Sequence, residues 1–195
     1  MNSTQGRLVE TNNSGQFKRD ADLIVRLCKQ DEQALELLYR HYYSRLFRFV
    51  ARVTRREELI DEIINDVMYV VWEKADSYNQ QCKPSTWIFG IAYNKARQSL
   101  RNAGNNDEES LDEMDGDNLF FEDNVCALKE LEMTNWLESA LDLLSPDQRA
   151  VIELTYFQGL HYSEIAVLMD CPENTVKTRM HHARKKLAVI LKNND

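Results

Sequence analysis

Apolar residues in this chain recur at three- and four-residue spacing, the period of an amphipathic helix rather than of a strand. A first helix begins near Asp20 or Asp22, either a fair N-cap, with Leu23, Ile24 and Leu27 on one side. Asp31 can cap a longer second helix carrying Leu35, Leu38, Tyr39, Tyr42, Leu46, Phe49 and Val50, with Arg40, Arg45, Arg48 and Arg52 on its other face. The spacing predicts a third helix over 57–75, where Ile60, Ile63, Ile64, Val67 and Val71 make the buried stripe. Glu58, Asp61, Glu62, Asn65, Asp66 and Tyr69 fall opposite, an acidic face bearing one aromatic ring. Lys83-Pro84 interrupts helix until Ser85 can cap a fourth, over 86–101. In that helix Trp87, Ile88, Ile91, Ala92, Ala96 and Leu100 are expected inside, and Phe89, Tyr93, Asn94, Arg97 and Arg101 outside.

Periodicity lapses over 102–127 and resumes through Leu128, Leu131, Leu137, Leu141 and Leu144, which predicts a lead helix for a second domain. Ser145 then sits where an N-cap belongs, Pro146 suits the first helical position, and Gln148 completes a capping-box spacing. That helix should run to about Phe157 and stop at Gly159, a residue suited to a left-handed cap. A short helix with Ile165, Ala166 and Met169 inward follows, broken by Asp170-Cys171-Pro172. Behind Pro172, Val176, Met180, Ala183 and Leu187 align one apolar stripe on a last helix. No strand pattern and no internal repeat emerges. The expected fold is all-α, with two small helical domains (a helical bundle and a helix-turn-helix) joined by a flexible acidic linker. The expected boundaries are a disordered tail over 1–19, a first domain over 20–102, a linker over 103–128 and a second domain over 129–192.

Charge sharpens this division. The net charge of −8 looks wrong for a nucleic-acid binder until it is located. Nine acids and no Lys or Arg lie between Asn102 and Leu128, so the rest of the chain carries about +1. From Cys171 to Leu187, five Lys or Arg face a single acid, Glu173. Two short helices, a tight turn and a basic second helix describe a helix-turn-helix, whose second helix enters the DNA major groove. Thr175, Lys177, Thr178, Arg179, His181, His182, Arg184 and Lys185 ride on its polar faces. Aromatics interleaved with Asn and Arg on the fourth helix suit unstacked bases beside a phosphate backbone, although such a helix is more often plain core. The acidic face of the third helix stays open between docking surface and solvated flank.

Other classes find less support. No apolar run approaches the ~20 residues of a membrane span, and the polar N-terminus is unlike a signal peptide, so a cytoplasmic, non-inserting protein is expected. Cys28, Cys82, Cys126 and Cys171 are scattered without a CxxC pair and read as reduced thiols, buried or incidental. His41, His161, His181, His182 and the cysteines lack ligand spacing, and no phosphate loop or nucleophile motif appears. Neither an enzyme nor a cofactor is expected. The competing reading is a stand-alone helix-turn-helix regulator, which would need a receiver or ligand-binding domain where this chain shows four helices.

Four blocks, in order and spacing, carry a resemblance. They are Leu38-Tyr39-Arg40 with Arg45-Leu46-Phe47-Arg48-Phe49; the Asp61–Trp72 helix; Trp87-Ile88-Phe89 with Ile91-Ala92-Tyr93-Asn94; and Thr175-Val176-Lys177-Thr178-Arg179 with Ala183-Arg184-Lys185-Lys186-Leu187. Together the chain resembles the extracytoplasmic-function (ECF) sigma factors of bacterial RNA polymerase, over about 20–102 (region 2) and 129–190 (region 4). The resemblance implies a factor that binds core polymerase and directs promoter-specific initiation, with promoter DNA and core polymerase as partners, an anti-sigma protein restraining it, and a monomer when free. In such factors an Asp, a Gln and a Glu dock on the clamp helices of the largest polymerase subunit. These positions fall on Glu62, Asn65 and Asp66, with Asp61 and Tyr69 on the same face. The −10 element is read as single strand, which implies roles for Lys83, Phe89, Tyr93, Asn94, Arg97 and Arg101. At the −35 duplex, Thr178, His181 and His182 are expected on base edges, with Lys177, Arg179, Arg184 and Lys185 on phosphates and Thr175 at the helix entry. The acidic linker resembles the family's connector through polymerase channels, where a polyanion mimic and a plain tether remain equally open. Gly90, Tyr93 and Ser99 stand where Arg is frequent in the family, His161 replaces a Ser cap, and Asp170 replaces a turn Gly.

Overall fold

Asp31 does what its position promises: its carboxylate accepts the Gln33 and Ala34 amides at 3.0 and 3.3 Å and opens a 23-residue helix. In this computed structural model, which describes residues 17–103, 141 and 143–193, every regular element is helical. The first domain holds α1 (17–27), α2 (Glu32–Thr54), α3 (Ile60–Glu73) and α4 (Pro84–Asn102). The second holds α5 (Pro146–Ile152), α6 (Tyr162–Met169) and α7 (Glu173–Asn193). Short 3₁₀ turns at Glu57–Leu59 and Ala75–Ser77 flank α3. The acidic linker, the lead helix before Leu141 and Cys126 lie outside the described residues.

Helices α2, α3 and α4 pack around Leu38, Tyr42, Leu46, Phe49, Ile64, Val67, Ile88 and Phe89, all fully buried. Burying Val-to-Phe-sized side chains stabilises by roughly 1.5–3 kcal/mol each, so this stripe rather than helix propensity holds the bundle. In the second domain Ile165, Val176, Met180 and Ala183 close the helix-turn-helix core. Ser145 forms the full capping box with Gln148, Gly159 takes φ +65°, and Asp170 takes φ +50° to end α6. Past Ile152 the helix widens into a π-turn over Glu153–Phe157, where the i→i+5 pattern turns Glu153 inward.

Three expectations need correction. Helix α1 already includes residues 17–19, and Asp20 is no cap: it lies buried within the helix, where Tyr42 Oη donates to its carboxylate at 2.7 Å. Lys83, not Ser85, occupies the N-cap of α4, with Pro84 at its first position and no side-chain cap bond. Finally, α4 buries Ile88, Ala92, Ala96 and Leu100 as expected, but the two flanks of that stripe differ. Phe89 and Tyr93 are buried, whereas Trp87 and Ile91 are only partly covered.

The two domains also pack on each other, α4 against α6 and α2 against α5. Arg149 is buried at this junction and donates to the Val53 carbonyl at 3.0 and 3.2 Å and to the Leu141 and Leu144 carbonyls at 3.3 and 2.9 Å. The guanidinium thus satisfies the Val53 carbonyl in the last turn of α2, which has no partner within its helix, together with carbonyls of the segment that leads into α5. Glu153 receives Arg52 at 2.5 Å, and Arg45 donates twice to Gln158 at 2.8 and 3.1 Å.

Candidate polymerase and promoter interfaces

The apolar stripe of α3 fixes what its opposite side must present. With Ile60, Ile63, Ile64, Val67 and Val71 inward, Asp61, Glu62, Asn65, Asp66 and Tyr69 are all exposed on one face. Tyr69 is 62 % exposed and is the one aromatic ring of that face. Neighbouring elements orient this face. Tyr43 Oη donates to Asp61 at 2.9 Å, Tyr39 Oη to Asn65 at 3.3 Å, and the Lys95 ammonium to Asp66 at 2.9 Å. Tyr39 stacks on Tyr43 with centroids 5.5 Å apart, so two rings stiffen the acidic edge. The Asp61 carboxylate, with burial behind it, holds the Tyr43 hydroxyl above its ordinary pKa, so Tyr43 stays a donor.

Between α3 and α4 lies an open cleft of about 280 Å³, lined by Val70, Lys74, Ser77, Trp87, Ile91, Asn94, Lys95 and Gln98. It pairs an indole face and an aliphatic wall with two amides and two ammonium groups, the donor set for a flat heterocycle next to phosphate. Asn94, expected at the −10 element, is exposed and lines it, and Arg101 is exposed about two turns further along α4. Of the eight lining residues, sequence reasoning singled out only Asn94 for binding. Trp87 and Ile91 form a second apolar stripe on α4, which the sequence pattern alone does not separate from core.

The other residues expected at the −10 element are engaged elsewhere. Phe89 belongs to the core: its ring stands edge-on to Phe49 at 5.3 Å and tilted to Tyr42 at 6.4 Å, under the Arg45 guanidinium at 5.2 Å. Its expected outward position is therefore corrected, because α2 offers this ring two aromatic partners. Tyr93 is likewise not outward. It is buried at the domain junction, and its hydroxyl donates to Asp147 of α5 at 2.7 Å; burial and that carboxylate push its pKa well up. The Arg97 guanidinium stands 3.7 Å from Asp147, and Lys83 pairs with Glu164 of α6 at 3.0 Å.

On α7 the stripe of Val176, Met180 and Ala183 faces the core, leaving a polar flank. Lys177 and Lys185 are exposed, while Thr175, Thr178, His181 and His182 are half-buried. Thr178 Oγ1 returns to the Asn174 carbonyl at 2.9 Å, and Lys177 pairs with Glu173 at 2.9 Å. Arg184 donates to Tyr156 Oη at 2.7 and 3.1 Å, which aligns it beside the π-turn. Arg179 departs from its expected phosphate role: its guanidinium points into the junction and meets Asp147 at 2.6 Å. Nothing local in the sequence distinguishes Asp147 from any acid favoured in a first helical turn.

Among the described residues no group of His, Cys, Asp and Glu could hold a metal ion, and no helix is long and apolar enough to cross a membrane. Burial pushes the Cys82 thiol up, which keeps it protonated and unreactive.

The family described as Sigma-70 region 2 matches residues 38–105, and that described as Sigma-70, region 4 matches residues 134–187. The chain is 29% identical over 179 residues to the ECF RNA polymerase sigma-E factor of Escherichia coli, covering 86% of this chain and 92% of that protein. It is 25% identical over 180 residues to the RNA polymerase sigma-H factor of Pseudomonas aeruginosa, covering 87% and 92%. Among solved structures, CnrH in complex with the cytosolic domain of CnrY aligns with a TM-score of 0.65 at 21% identity, covering 91% of this chain and 99% of that one. The sigma factor RpoE in complex with the anti-sigma factor NepR, from Bartonella quintana, aligns with a TM-score of 0.62 at 24% identity, covering 80% and 96%. The region 2 match occupies the segment where a stand-alone regulator would need its receiver domain. With region 2 and region 4 in that order on an all-helical frame, the chain belongs to the sigma-70 family, as a sigma factor of the extracytoplasmic-function group that directs transcription initiation.

Proposed function

We propose that three surfaces divide the work of this sigma factor. The exposed α3 face of Asp61, Glu62, Asn65, Asp66 and Tyr69 binds core RNA polymerase. The α3–α4 cleft takes a base flipped from the −10 element, with Trp87 as stacking wall, Asn94 reading the base edge, and Lys74, Lys95 and Arg101 toward the phosphates. The outer flank of α7 enters the −35 major groove, where Thr178, His181 and His182 reach base edges and Lys177, Arg184 and Lys185 meet phosphates. Residues 17–102 and 129–192 act as the two domains, and 103–128 as the acidic connector between them.

One observation supports this most: the cleft holding Asn94 and Trp87 lies directly beside the acidic face, and Lys95 both lines the cleft and pairs with Asp66. A base entering the cleft is therefore delivered where polymerase is held. An unstacked base needs a polar edge reader and an apolar wall, and the cleft supplies both. Initiation of this kind calls for no bond-making by the factor; binding energy stabilises the melted bubble. An anti-sigma protein acts by covering these surfaces, in keeping with the anti-sigma complex of the Bartonella quintana relative.

The test is reconstituted transcription. Purified protein plus core polymerase yields promoter-specific transcripts where neither does alone, and Asn94→Ala reduces open-complex formation on a mismatched, pre-melted −10 template less than on a duplex one. Core binding no tighter than that of an unrelated acidic protein would refute the assignment.

A further inference from the structure

The ridge of α7 that stands furthest from the core begins at an uncharged residue, Asn174. Val176, Met180, Ala183 and Leu187 set the inward side of this helix. Asn174, Thr178, His181 and Lys185 repeat the same spacing two positions earlier, about 200° away around the helix axis, so they lie opposite the core. From Asn174 to Lys185 the ridge is about 16 Å long at 1.5 Å per residue. Helix-turn-helix proteins bring the N-terminal residues of such a helix to base edges, and Asn174 is the N-terminal member of the ridge.

Among the described residues, none engages the Asn174 amide. Asn is favoured at helix N-caps, where its side chain bonds free backbone amides. Here the residue before the helix is Pro172 with Glu173 first within it, and the Pro172 carbonyl accepts the Thr175 and Val176 amides at 2.9 and 3.4 Å. The Asn174 side chain is exposed and makes no hydrogen bond to a described residue, while its backbone carbonyl receives Thr178 Oγ1 at 2.9 Å. Its neighbours are committed: Glu173 and Lys177 pair with each other at 2.9 Å, and the Arg179 guanidinium turns to Asp147. Of the four ridge residues, Asn174 alone carries a donor and an acceptor side by side on one planar group. Lys185 offers donors only, Thr178 has placed its proton, and the two ring nitrogens of His181 diverge.

That pair of groups has one complement among the base edges of the major groove. Adenine presents its N7 acceptor beside its N6 amino donor. Guanine presents two acceptors, thymine an acceptor and a methyl, and cytosine a lone donor. An amide that donates to N7 and accepts from N6 is satisfied at both ends only on adenine. We propose that Asn174 reads an adenine of the −35 element through this two-bond contact, at the end of the element beneath the first turn of α7. This rests on the −35 assignment given above and adds to it one residue and the base it specifies.

The test uses holoenzyme reconstituted from the full-length chain and core polymerase, with a randomised duplex library as probe. The parent is expected to select a −35 motif containing an adenine whose replacement by another base lowers affinity roughly 5- to 150-fold. Asn174→Ala flattens the preference at that one position and leaves the rest of the motif. Asn174→Asp, of the same shape and favoured in a first helical turn, keeps an acceptor but loses the donor, and moves the preference from adenine toward cytosine. At the atomic level, 7-deazaadenine at that position removes N7 and leaves base pairing intact; it weakens the parent and not Asn174→Ala. Core affinity is unchanged in both variants, because Asn174 lies on α7 and not on the α3 face. An adenine preference that survives Asn174→Ala would overturn the proposal and leave the promoter assignment standing. So would a 7-deazaadenine loss of equal size in parent and variant, or a selected motif without adenine. A parent holoenzyme that selects no −35 motif removes the assignment itself, and the proposal with it.

Discussion

Phe89→Ala decides whether the fourth helix shows its aromatic ring to DNA or to the core. The ring is fully buried between Phe49 and Tyr42, with Arg45 over its face. Truncating a buried Phe to Ala costs about 3–5 kcal/mol, from lost transfer energy and the cavity left behind. In a chain of this size each kcal/mol lowers the melting midpoint by about 2–4 °C, so a drop of roughly 6–20 °C is expected. Phe89→Met keeps most of the volume but forfeits the edge-on ring contact and the cation–π contact, and should cost about 1–2 kcal/mol. Urea titration followed by circular dichroism gives both values, and binding to a single-stranded −10 oligonucleotide is measured below the transition. The core assignment requires the two variants to rank by stability while −10 binding per folded molecule is retained. A stability change under about 0.5 kcal/mol together with collapsed −10 binding would show that the ring faces DNA.

Asn94→Ala should weaken single-stranded −10 binding by about 1–3 kcal/mol, read by fluorescence anisotropy, and leave −35 duplex binding alone; equal loss on both would refute the cleft assignment. Lys185→Ala should weaken −35 binding across sequences and reduce the magnitude of the log K against log salt slope by about 1. Acid sensitivity has a named contributor in Glu164. Burial pushes its carboxyl up, but the His161 amide and Lys83 outweigh that and hold it below the ordinary glutamate value. Its stabilisation is therefore complete above about pH 4.3, the unfolded value, and is lost as pH falls through the lower folded value. The difference in urea midpoint between parent and Glu164→Gln should hold steady from pH 7 to about 5 and shrink below it. A difference unchanged down to pH 3 would show that the charge contributes nothing.

Local chemistry was legible where a residue's job is local. Asp31, Ser145 with Gln148, Gly159 and Asp170 all sit at the helix boundaries their types suggest, because caps and left-handed turns are settled within four residues. The α3 stripe was legible for a related reason. Its branched apolar residues at 60, 63, 64, 67 and 71 share one side and every acid falls opposite them, so the acidic face had nowhere else to go. Helix α4 carries two apolar stripes, Phe89 with Tyr93 and Trp87 with Ile91, and both satisfy a 3.6-residue period. Which one turns inward depends on the partners across α2 and α5, and Tyr42, Phe49 and Asp147 chose the first. Asp20 failed as a cap for the same reason: a hydroxyl twenty-two positions away claimed its carboxylate. The Asp147 cluster draws its members from three separate helices, so no window of sequence contains it.

The affinity of core RNA polymerase for the full-length chain, measured for the parent and for the Glu62→Ala, Asn65→Ala, Asp66→Ala triple variant, tests the functional assignment most directly. These side chains are exposed, and the ion pair of Asp66 with Lys95 lies at the surface, so the variant should fold with a stability within about 1 kcal/mol of the parent. The account predicts at least a tenfold loss of core affinity, about 1.4 kcal/mol, with −35 duplex binding unchanged. A triple variant that binds core polymerase as tightly as the parent would contradict it.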